Sequence, residues 1–212
     1  MYRKDVDFLP VRALWVSVAV LVAAAGIGYI ALRDVERFEA LQEFVFQKRH
    51  AKYDSLIGAA AGKNGISPNL VKAVVWRETR FRSDAAGTRG ERGLMQVTEP
   101  AASEWAAAEG IETFSPEDLF DPKVNLDAGT WYLARALRHW AHMDDPVPFA
   151  LAEYNAGRSR VRRWVDAGAN SAKELEAAMD FPSTKEYIAS ILRRYRLYLE
   201  RGEFAAKPDG QL

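Results

Sequence analysis

The 212-residue sequence contains no cysteine, and it carries no net charge because 29 Lys and Arg balance 29 Asp and Glu. The lack of cysteine excludes disulfides, thiol nucleophiles, thiolate metal sites and a lipid-modified N-terminal cysteine. The neutral balance gives no electrostatic reason to expect a nucleic-acid partner, because such proteins present a basic face to the phosphates. We therefore expect no nucleic-acid binding.

Several sequence motifs of metal, nucleotide and serine-nucleophile chemistry are missing as well. The chain has no HExxH, no GxxxxGK[ST] and no GxSxG motif. Its three histidines are His50, His139 and His142. The last two lie three residues apart on a predicted helix, and two imidazoles without further ligands make a poor metal site. We expect neither a metal nor a cofactor.

One long uncharged run lies near the N-terminus. Residues 13–32, ALWVSVAVLVAAAGIGYIAL, contain no charged side chain. As a helix rising about 1.5 Å per residue they span roughly 30 Å, the thickness of the hydrocarbon core of a bilayer. The run predicts a single transmembrane anchor. A signal peptide cleaved near residues 23–25, where the sequence is Ala-Ala-Ala, is the alternative.

The remainder of the chain predicts an all-α domain. No segment shows the sustained alternation of a strand, and no repeat recurs at a fixed spacing. Residues 53–202 have helical periodicity, residues 33–52 predict a juxtamembrane helix or linker, and residues 203–212 predict a flexible tail. The predicted helices of the domain cover residues 56–61, 69–78, 100–109, 125–142, 148–151, 159–166 and 185–200.

Glu78 is the residue with the strongest physical argument for chemistry. Val71, Val74 and Val75 form an apolar stripe at helical spacing, and position 78 continues that stripe. Burial of a carboxyl group raises its pKa, which allows it to act as a general acid near neutral pH. A glutamate at a helix end whose side chain bends out to water is the alternative.

Two further motifs have the composition of ligand-binding segments. The GLMQ motif at residues 93–96 offers a glycine for close backbone approach and a glutamine amide that both donates and accepts. In the EYNAG motif at residues 153–157, Tyr154 and Asn155 are able to hydrogen-bond the hydroxyl and acetamido groups of a sugar. An ordinary helix connector and a capping turn are the respective alternatives.

Five motifs together resemble, in the same order along the chain, the catalytic domain of the soluble lytic transglycosylases. They are WRETRF at 76–81, GLMQ at 93–96, DPKVNLDAGTWYL at 121–133, AEYNAGRSRVRRW at 152–164 and STKEYI at 183–188. The resemblance covers residues 53–200. It implies a goose-lysozyme-like helical fold and a peptidoglycan-cleaving enzyme. Such enzymes break the β-1,4 bond between N-acetylmuramic acid and N-acetylglucosamine without consuming water and leave 1,6-anhydromuramoyl ends.

The resemblance also implies roles for individual residues. Glu78 is the single catalytic acid and base, and the other implied substrate contacts are Thr79, the Met95 backbone, Gln96, Tyr154, Asn155 and Tyr187. Glu91 and Glu153 depart from the family pattern, which commonly has small residues at those positions. The implied partners are peptidoglycan strands, the membrane through residues 13–32, and cell-envelope machinery. The domain is then expected on the periplasmic side of the inner membrane, with residues 1–12 in the cytoplasm.

Two other functions fit the same sequence. A lysozyme-type hydrolase on this fold needs a second carboxylate or a tightly placed water opposite Glu78. The candidate acids are Glu91, Glu99, Glu104 and Glu153. The other alternative is a catalytically silent glycan-binding or assembly module that keeps the fold.

Overall fold

The computed structural model describes residues 50–204. The predicted anchor at 13–32 and the predicted tail at 1–12 lie outside these residues, as do residues 33–49 and 205–212. Within residues 50–204, none of the helices is long and apolar enough to cross a bilayer.

Helices dominate the described residues, which confirms the predicted all-α domain. The α-helices are α1 (Asp54–Asn64), α2 (Pro68–Thr79), α3 (Glu99–Ala108), α4 (Pro122–His139), α5 (Pro146–Ala156), α6 (Arg158–Asp166), α7 (Ala172–Ala178) and α8 (Pro182–Glu200). A short 3-10 helix covers Pro116–Phe120. Between residues 50 and 204, β-structure is limited to two isolated bridges, which pair Arg92 with Ala86 and with Val97.

Several helix boundaries differ from the sequence prediction. Helix α4 begins at Pro122 rather than at residue 125, because the Asp121 side chain accepts hydrogen bonds from the backbone N–H groups of Lys123 and Val124 and caps the helix. It also ends at His139, three residues earlier than predicted. Helix α5 continues to Ala156, so the EYNA residues form its last turn rather than a loop. The sequence analysis missed α7 and the 3-10 helix.

Helix α2 is the central element of the domain. Ser67 precedes Pro68 at its first position, as predicted, and the helix packs against α1 and α8. Most of its residues are buried, including Val71, Val74 and Val75, which are 0% exposed. Because α8 packs against α2, the C-terminal turn of α2 lies beside that helix. That turn carries Glu78.

Glu203 and Phe204, which the sequence analysis placed in the C-terminal tail, pack against the domain. The Glu203 carboxylate lies 2.5 Å from the ammonium group of Lys72, which also lies 2.8 Å from an Asp54 carboxylate oxygen. Lys72 is 3% exposed, so this ion pair is formed largely out of water. The Phe204 ring packs against the same lysine and against the core. The ordered domain therefore extends at least to Phe204.

Candidate active site

The carboxyl group of Glu78 contacts the phenol of Tyr187. The Tyr187 hydroxyl donates a hydrogen bond of 2.6 Å to Glu78 Oε1, which joins α2 to α8. Glu78 is partly buried and Tyr187 is 3% exposed. The side chain of Glu78 is therefore turned to a protein partner, which decides against the alternative in which it bends out to water.

Burial sets the proton affinity of Glu78. Loss of hydration raises its pKa to about 7, even though the hydrogen bond from Tyr187 and the positive charge of Arg77 both lower it. The Arg77 guanidinium lies 5.4 Å from the centre of the Tyr187 ring, so it flanks the same pair. A carboxyl group with this pKa both holds and releases a proton near neutral pH, as a general acid and base requires.

The chain reverses direction directly after Glu78. Arg80 and Phe81 have φ values of +53° and +62°, in the left-handed region that non-glycine residues seldom adopt. Phe81 is 1% exposed, so burial of its ring holds this backbone conformation in place. The sharp turn ends α2 and leads the chain to residues 85–97, which we call the cleft loop.

Asn125 of α4 anchors the cleft loop. Its Oδ1 accepts a hydrogen bond of 2.8 Å from the Met95 N–H, and its Nδ2 donates to the carbonyls of Arg92 at 2.7 Å and Leu119 at 2.8 Å. Asn125 is 0% exposed; its bonds to Met95 and Leu119 are buried, and its bond to Arg92 is partly buried. Gly93 has a φ of +70°, and a Cβ there would lie 2.2 Å from the Leu119 carbonyl oxygen. Only glycine fits this close approach.

Thr79 and Met95 make their contacts with neighbouring parts of the protein. Thr79 is 3% exposed, and its hydroxyl donates a 2.9 Å hydrogen bond to the Leu94 carbonyl. The Met95 side chain is 0% exposed, and its carbonyl accepts a 2.9 Å hydrogen bond from the Tyr154 hydroxyl. The bond from Thr79 therefore holds the cleft loop against α2, and the bond from Tyr154 holds it against α5.

Gln96 and Glu91 meet at Gly87 within the cleft loop. A Cβ at Gly87 would lie 2.4 Å from Glu91 Oε2 and 2.9 Å from Gln96 Oε1. The Gln96 amide donates to the Gly93 and Ala85 carbonyls at 3.0 and 3.2 Å. Glu91 accepts hydrogen bonds from the backbone and side chain of Arg89 at 2.8 and 2.9 Å. The negative charge of Glu91 raises the pKa of Glu78, whereas the charge of Arg89 lowers it.

Asn155 is exposed, and its Oδ1 accepts a 2.9 Å hydrogen bond from the Thr184 hydroxyl of α8. Neighbouring Tyr154 packs edge-on against Tyr132, with ring centres 5.7 Å apart. The structure thus brings Glu78 directly to Tyr187, and it links Tyr154 to Met95 and Asn155 to α8. The sequence analysis gave no role to Thr184 or Asn125, although both lie within the motifs that carried the resemblance.

The three remaining candidate acids are either paired with other residues or exposed. Glu153 is 0% exposed; its Oε1 lies 2.9 Å from His139 Nδ1, and its Oε2 accepts a 2.8 Å hydrogen bond from the Trp140 indole. It therefore joins α5 to α4 in the interior. Glu104 pairs with Arg135 on the surface, and Glu99 is exposed at the start of α3. Within residues 50–204 there is no group of three or more His, Asp and Glu side chains arranged to hold a metal.

Comparison with known proteins places this geometry in a family. Residues 55–176 match the family model described as the transglycosylase SLT domain. The membrane-bound lytic murein transglycosylase F of Desulfosudis oleivorans is 33% identical over 117 residues, which cover 54% of this chain and 24% of that protein. The soluble lytic murein transglycosylase of Escherichia coli K12 is 27% identical over 143 residues, which cover 66% of this chain and 22% of that protein.

A solved structure has the same fold. The crystal structure of an inactive mutant of lytic transglycosylase Slt from Pseudomonas aeruginosa superposes with a TM-score of 0.63 and 26% sequence identity. The match covers 69% of this chain and 24% of that one, so the chain matches about a quarter of the length of these relatives. Because the family model covers more than half of the sequence, this chain belongs to the transglycosylase SLT domain family.

Proposed function

We propose that this chain is a peptidoglycan lytic transglycosylase in which Glu78 is the single general acid and base. The observation that carries the proposal is a partly buried carboxyl group with a pKa of about 7, hydrogen-bonded to Tyr187, in an SLT domain. Relatives named lytic murein transglycosylases support the substrate class. The inactive Pseudomonas aeruginosa mutant supports a catalytic glutamate, because glutamine replaces glutamate in it.

In the first step protonated Glu78 donates its proton to the glycosidic oxygen between N-acetylmuramic acid and N-acetylglucosamine. The bond from this oxygen to C1 of the muramoyl residue breaks, and the N-acetylglucosamine unit leaves as an alcohol. The carbonyl oxygen of the substrate's own 2-acetamido group stabilises the positive charge at C1. No second carboxylate is needed for this stabilisation.

In the second step the muramoyl C6 hydroxyl attacks C1 and forms the 1,6-anhydro ring. Glu78, now ionised, takes the proton from this hydroxyl and returns to its starting state. Because the hydroxyl belongs to the same sugar, its effective concentration at C1 is far higher than that of water. One C1–O bond, to the glycosidic oxygen, is broken and another, to the C6 oxygen, is formed, so no water is consumed.

The remaining site residues divide into two groups. Tyr187 holds the Glu78 carboxyl in place, and the exposed amide of Asn155, set beside Thr184, contacts the 2-acetamido group. Gln96 lines the sugar groove from the cleft loop. Thr79, Tyr154 and the Met95 backbone act indirectly by fixing that loop.

We further propose that residues 13–32 anchor the enzyme in the inner membrane with the catalytic domain on the periplasmic side. Two observations support this location. The uncharged run has the length of a membrane span, and one relative of this chain is named as membrane-bound. A peptidoglycan substrate also requires the domain to lie outside the cytoplasm.

Mass spectrometry of reaction products tests the proposal. The full chain is incubated with purified peptidoglycan, beside Glu78→Gln and, as a matched control, Glu112→Gln, which changes an exposed acid outside the site. We expect 1,6-anhydromuramoyl ends from the parent and the control. Glu78→Gln should release strands at least about a thousandfold more slowly, because it removes the proton donor and acceptor. Unchanged release by Glu78→Gln would exclude catalysis by this residue.

The same experiment separates the two alternatives. A lysozyme-type hydrolase would produce reducing muramic ends instead of anhydro ends. Glu91 is the acid that favours this alternative, since its charge acts on Glu78. A non-catalytic module would bind glycan strands and release none.

A further inference from the structure

A row of side chains on α8 leads away from Glu78 toward an exposed aromatic ring. Phe181 precedes the first residue of α8, and Thr184 and Tyr187 follow at intervals of three residues. Residues three apart are neighbours on the surface of a helix, so Thr184 lies beside Tyr187. Phe181 is the N-cap residue, and Thr184 donates its backbone N–H to the Phe181 carbonyl at 3.1 Å. Tyr187 contacts Glu78, and Thr184 contacts Asn155. Phe181 therefore lies beyond Thr184 at the start of α8, about 9 Å from Tyr187 along the helix axis.

Phe181 is exposed but held by its neighbours. Phe181 is 38% exposed. Its ring packs against the ring of Trp164 on α6, with the two ring centres 6.5 Å apart. Trp164 is 8% exposed and belongs to the core. The exposed ring is thus supported from beneath and presented to solvent in a fixed position, which reduces the entropy lost when a ligand stacks on it.

A guanidinium group accompanies the ring. The Arg160 guanidinium carbon lies 4.9 Å from the centre of the Phe181 ring, and Arg160 Nη1 donates a 3.1 Å hydrogen bond to the Ala156 carbonyl. Arg160 is exposed. Ala156 follows Asn155 directly, so this cation lies at the end of the helix that carries the proposed acetamido contact. An apolar ring beside a fixed donor group suits a sugar, whose C–H face stacks while its polar substituents bind donors.

We infer that Phe181 and Arg160 form an additional sugar-binding position of the cleft, remote from the bond that is cleaved. The ligand is a muramic-acid-containing glycan strand: one sugar ring stacks on Phe181, and Arg160 pairs with a carboxylate of the muramoyl substituent. A disaccharide places its two rings on either side of the bond at Glu78. The separation from Tyr187 exceeds the span of a single sugar ring, so only a longer strand supplies the further ring that reaches Phe181. The choice of strand as ligand rests on the proposed function.

Calorimetric titration of defined strands tests the inference. Strands of alternating N-acetylglucosamine and N-acetylmuramic acid, two or eight sugars long, are titrated into the full chain carrying Glu78→Gln, so that nothing is consumed. We expect Phe181→Leu to weaken binding of the eight-sugar strand about tenfold and to leave the disaccharide unchanged, because leucine keeps the bulk but removes the ring face. Phe181→Tyr should restore binding, since the ring returns.

Arg160 has a separate signature. Arg160→Gln should weaken the eight-sugar muramic-acid strand severalfold and leave an N-acetylglucosamine oligomer of equal length unchanged, because only the former carries carboxylates. Arg162→Gln, an exposed arginine on the same helix, and Leu199→Ala, an apolar residue 49% exposed at the other end of α8, are the matched controls. Both should bind as the parent does.

Four results would overturn the inference, and three of them concern the variants. They are equal losses for long and short strands, parental binding of the eight-sugar strand by Phe181→Leu, and failure of Phe181→Tyr to restore binding lost in Phe181→Leu. A parent whose affinity does not increase with strand length would do the same. This binding test is independent of the product analysis that tests catalysis. If Phe181→Leu weakens long strands alone but the parent forms no anhydro products, only the proposed function is rejected. If the parent forms anhydro products but Phe181→Leu has no length-dependent effect, only this inference is rejected.

Discussion

Tyr187 donates a 2.6 Å hydrogen bond to Glu78 across a separation of 109 residues in sequence. The bond favours the ionised carboxylate, while burial of Glu78 favours the protonated acid, and burial has the larger effect. The resulting pKa of about 7 lies close to the value that a single residue needs in order to donate a proton in one step and accept one in the next. The interplay of these two effects is open to direct experiment.

Removing the Tyr187 hydroxyl should raise the pKa of Glu78. In Tyr187→Phe the hydrogen bond that lowers this pKa is lost and desolvation remains, so the alkaline limb of the pH–rate profile of strand release should move to higher pH. We also expect the maximal rate to fall about tenfold, because the carboxyl is no longer held in place. Tyr195→Phe, on the same helix, should keep the parental profile. An alkaline limb that stays in place or moves down would contradict this account.

Glu91 and Arg89 should shift the same profile in opposite directions. Glu91→Gln removes a negative charge that raises the pKa of Glu78, so the alkaline limb should move to lower pH. Arg89→Gln removes a positive charge that lowers this pKa, so the limb should move to higher pH. Both shifts should shrink in high salt, because these charges lie near solvent. Glu112→Gln, an exposed change elsewhere, should shift nothing; shifts of the same sign for both variants would refute the electrostatic explanation.

The raised pKa of Glu78 also predicts a pH-dependent stability. A folded-state pKa of about 7 against an ordinary value of 4.5 means that the folded protein binds more protons than the unfolded chain between these two pH values. The stability from protonated Glu78 is therefore complete below pH 4.5 and is lost as the pH rises through about 7. In denaturant titrations at pH 8, Glu78→Gln should have a free energy of unfolding about 1 to 3 kcal/mol higher than that of the parent. At pH 4 the two proteins should have the same stability. A stability gain of equal size at both pH values would rule out this linkage.

Loss of the Asn125 side chain should loosen the cleft loop. Asn125→Ala leaves the Met95 N–H and the carbonyls of Arg92 and Leu119 without their partner in a buried setting. We expect a loss of about 2 to 4 kcal/mol in the free energy of unfolding, together with reduced strand release at temperatures where the variant is still folded. Asn170→Ala, which removes one exposed hydrogen bond, should cost less than about 0.5 kcal/mol. Parental stability in Asn125→Ala would show that the loop does not depend on this residue.

Glu153 should contribute to stability and not to the chemistry. Glu153→Ala leaves the Trp140 indole N–H and His139 without their shared acceptor in the interior, which should cost about 2 to 4 kcal/mol. The products of the folded variant should remain anhydro ends, as in the parent. A change from one type of product end to the other would instead place Glu153 in the reaction.

Parts of this protein follow from local sequence pattern. Ser67 and Pro68 mark the start of α2, and the stripe through Val71, Val74 and Val75 places Glu78 on its buried face, because helical periodicity and capping depend on residues close in the chain. The absence of strand-like alternation predicts the all-α domain for the same reason. Order and spacing of the motifs were sufficient to indicate the family.

Other features depend on which residues meet across the fold. Nothing near Thr79 or Met95 in sequence reveals that the Thr79 hydroxyl bonds to the Leu94 carbonyl and the Met95 carbonyl to the Tyr154 hydroxyl. Likewise, Glu153 lies in a helix that is apolar on most sides, and only the packing of α4 against α5 supplies the His139 and Trp140 groups that keep its carboxylate in the interior. The sequence by itself determined most of the helices and the placement of Glu78 on a buried stripe. The tertiary structure decided its bond to Tyr187 and its pKa, because desolvation and long-range hydrogen bonds exist only once distant segments have packed together.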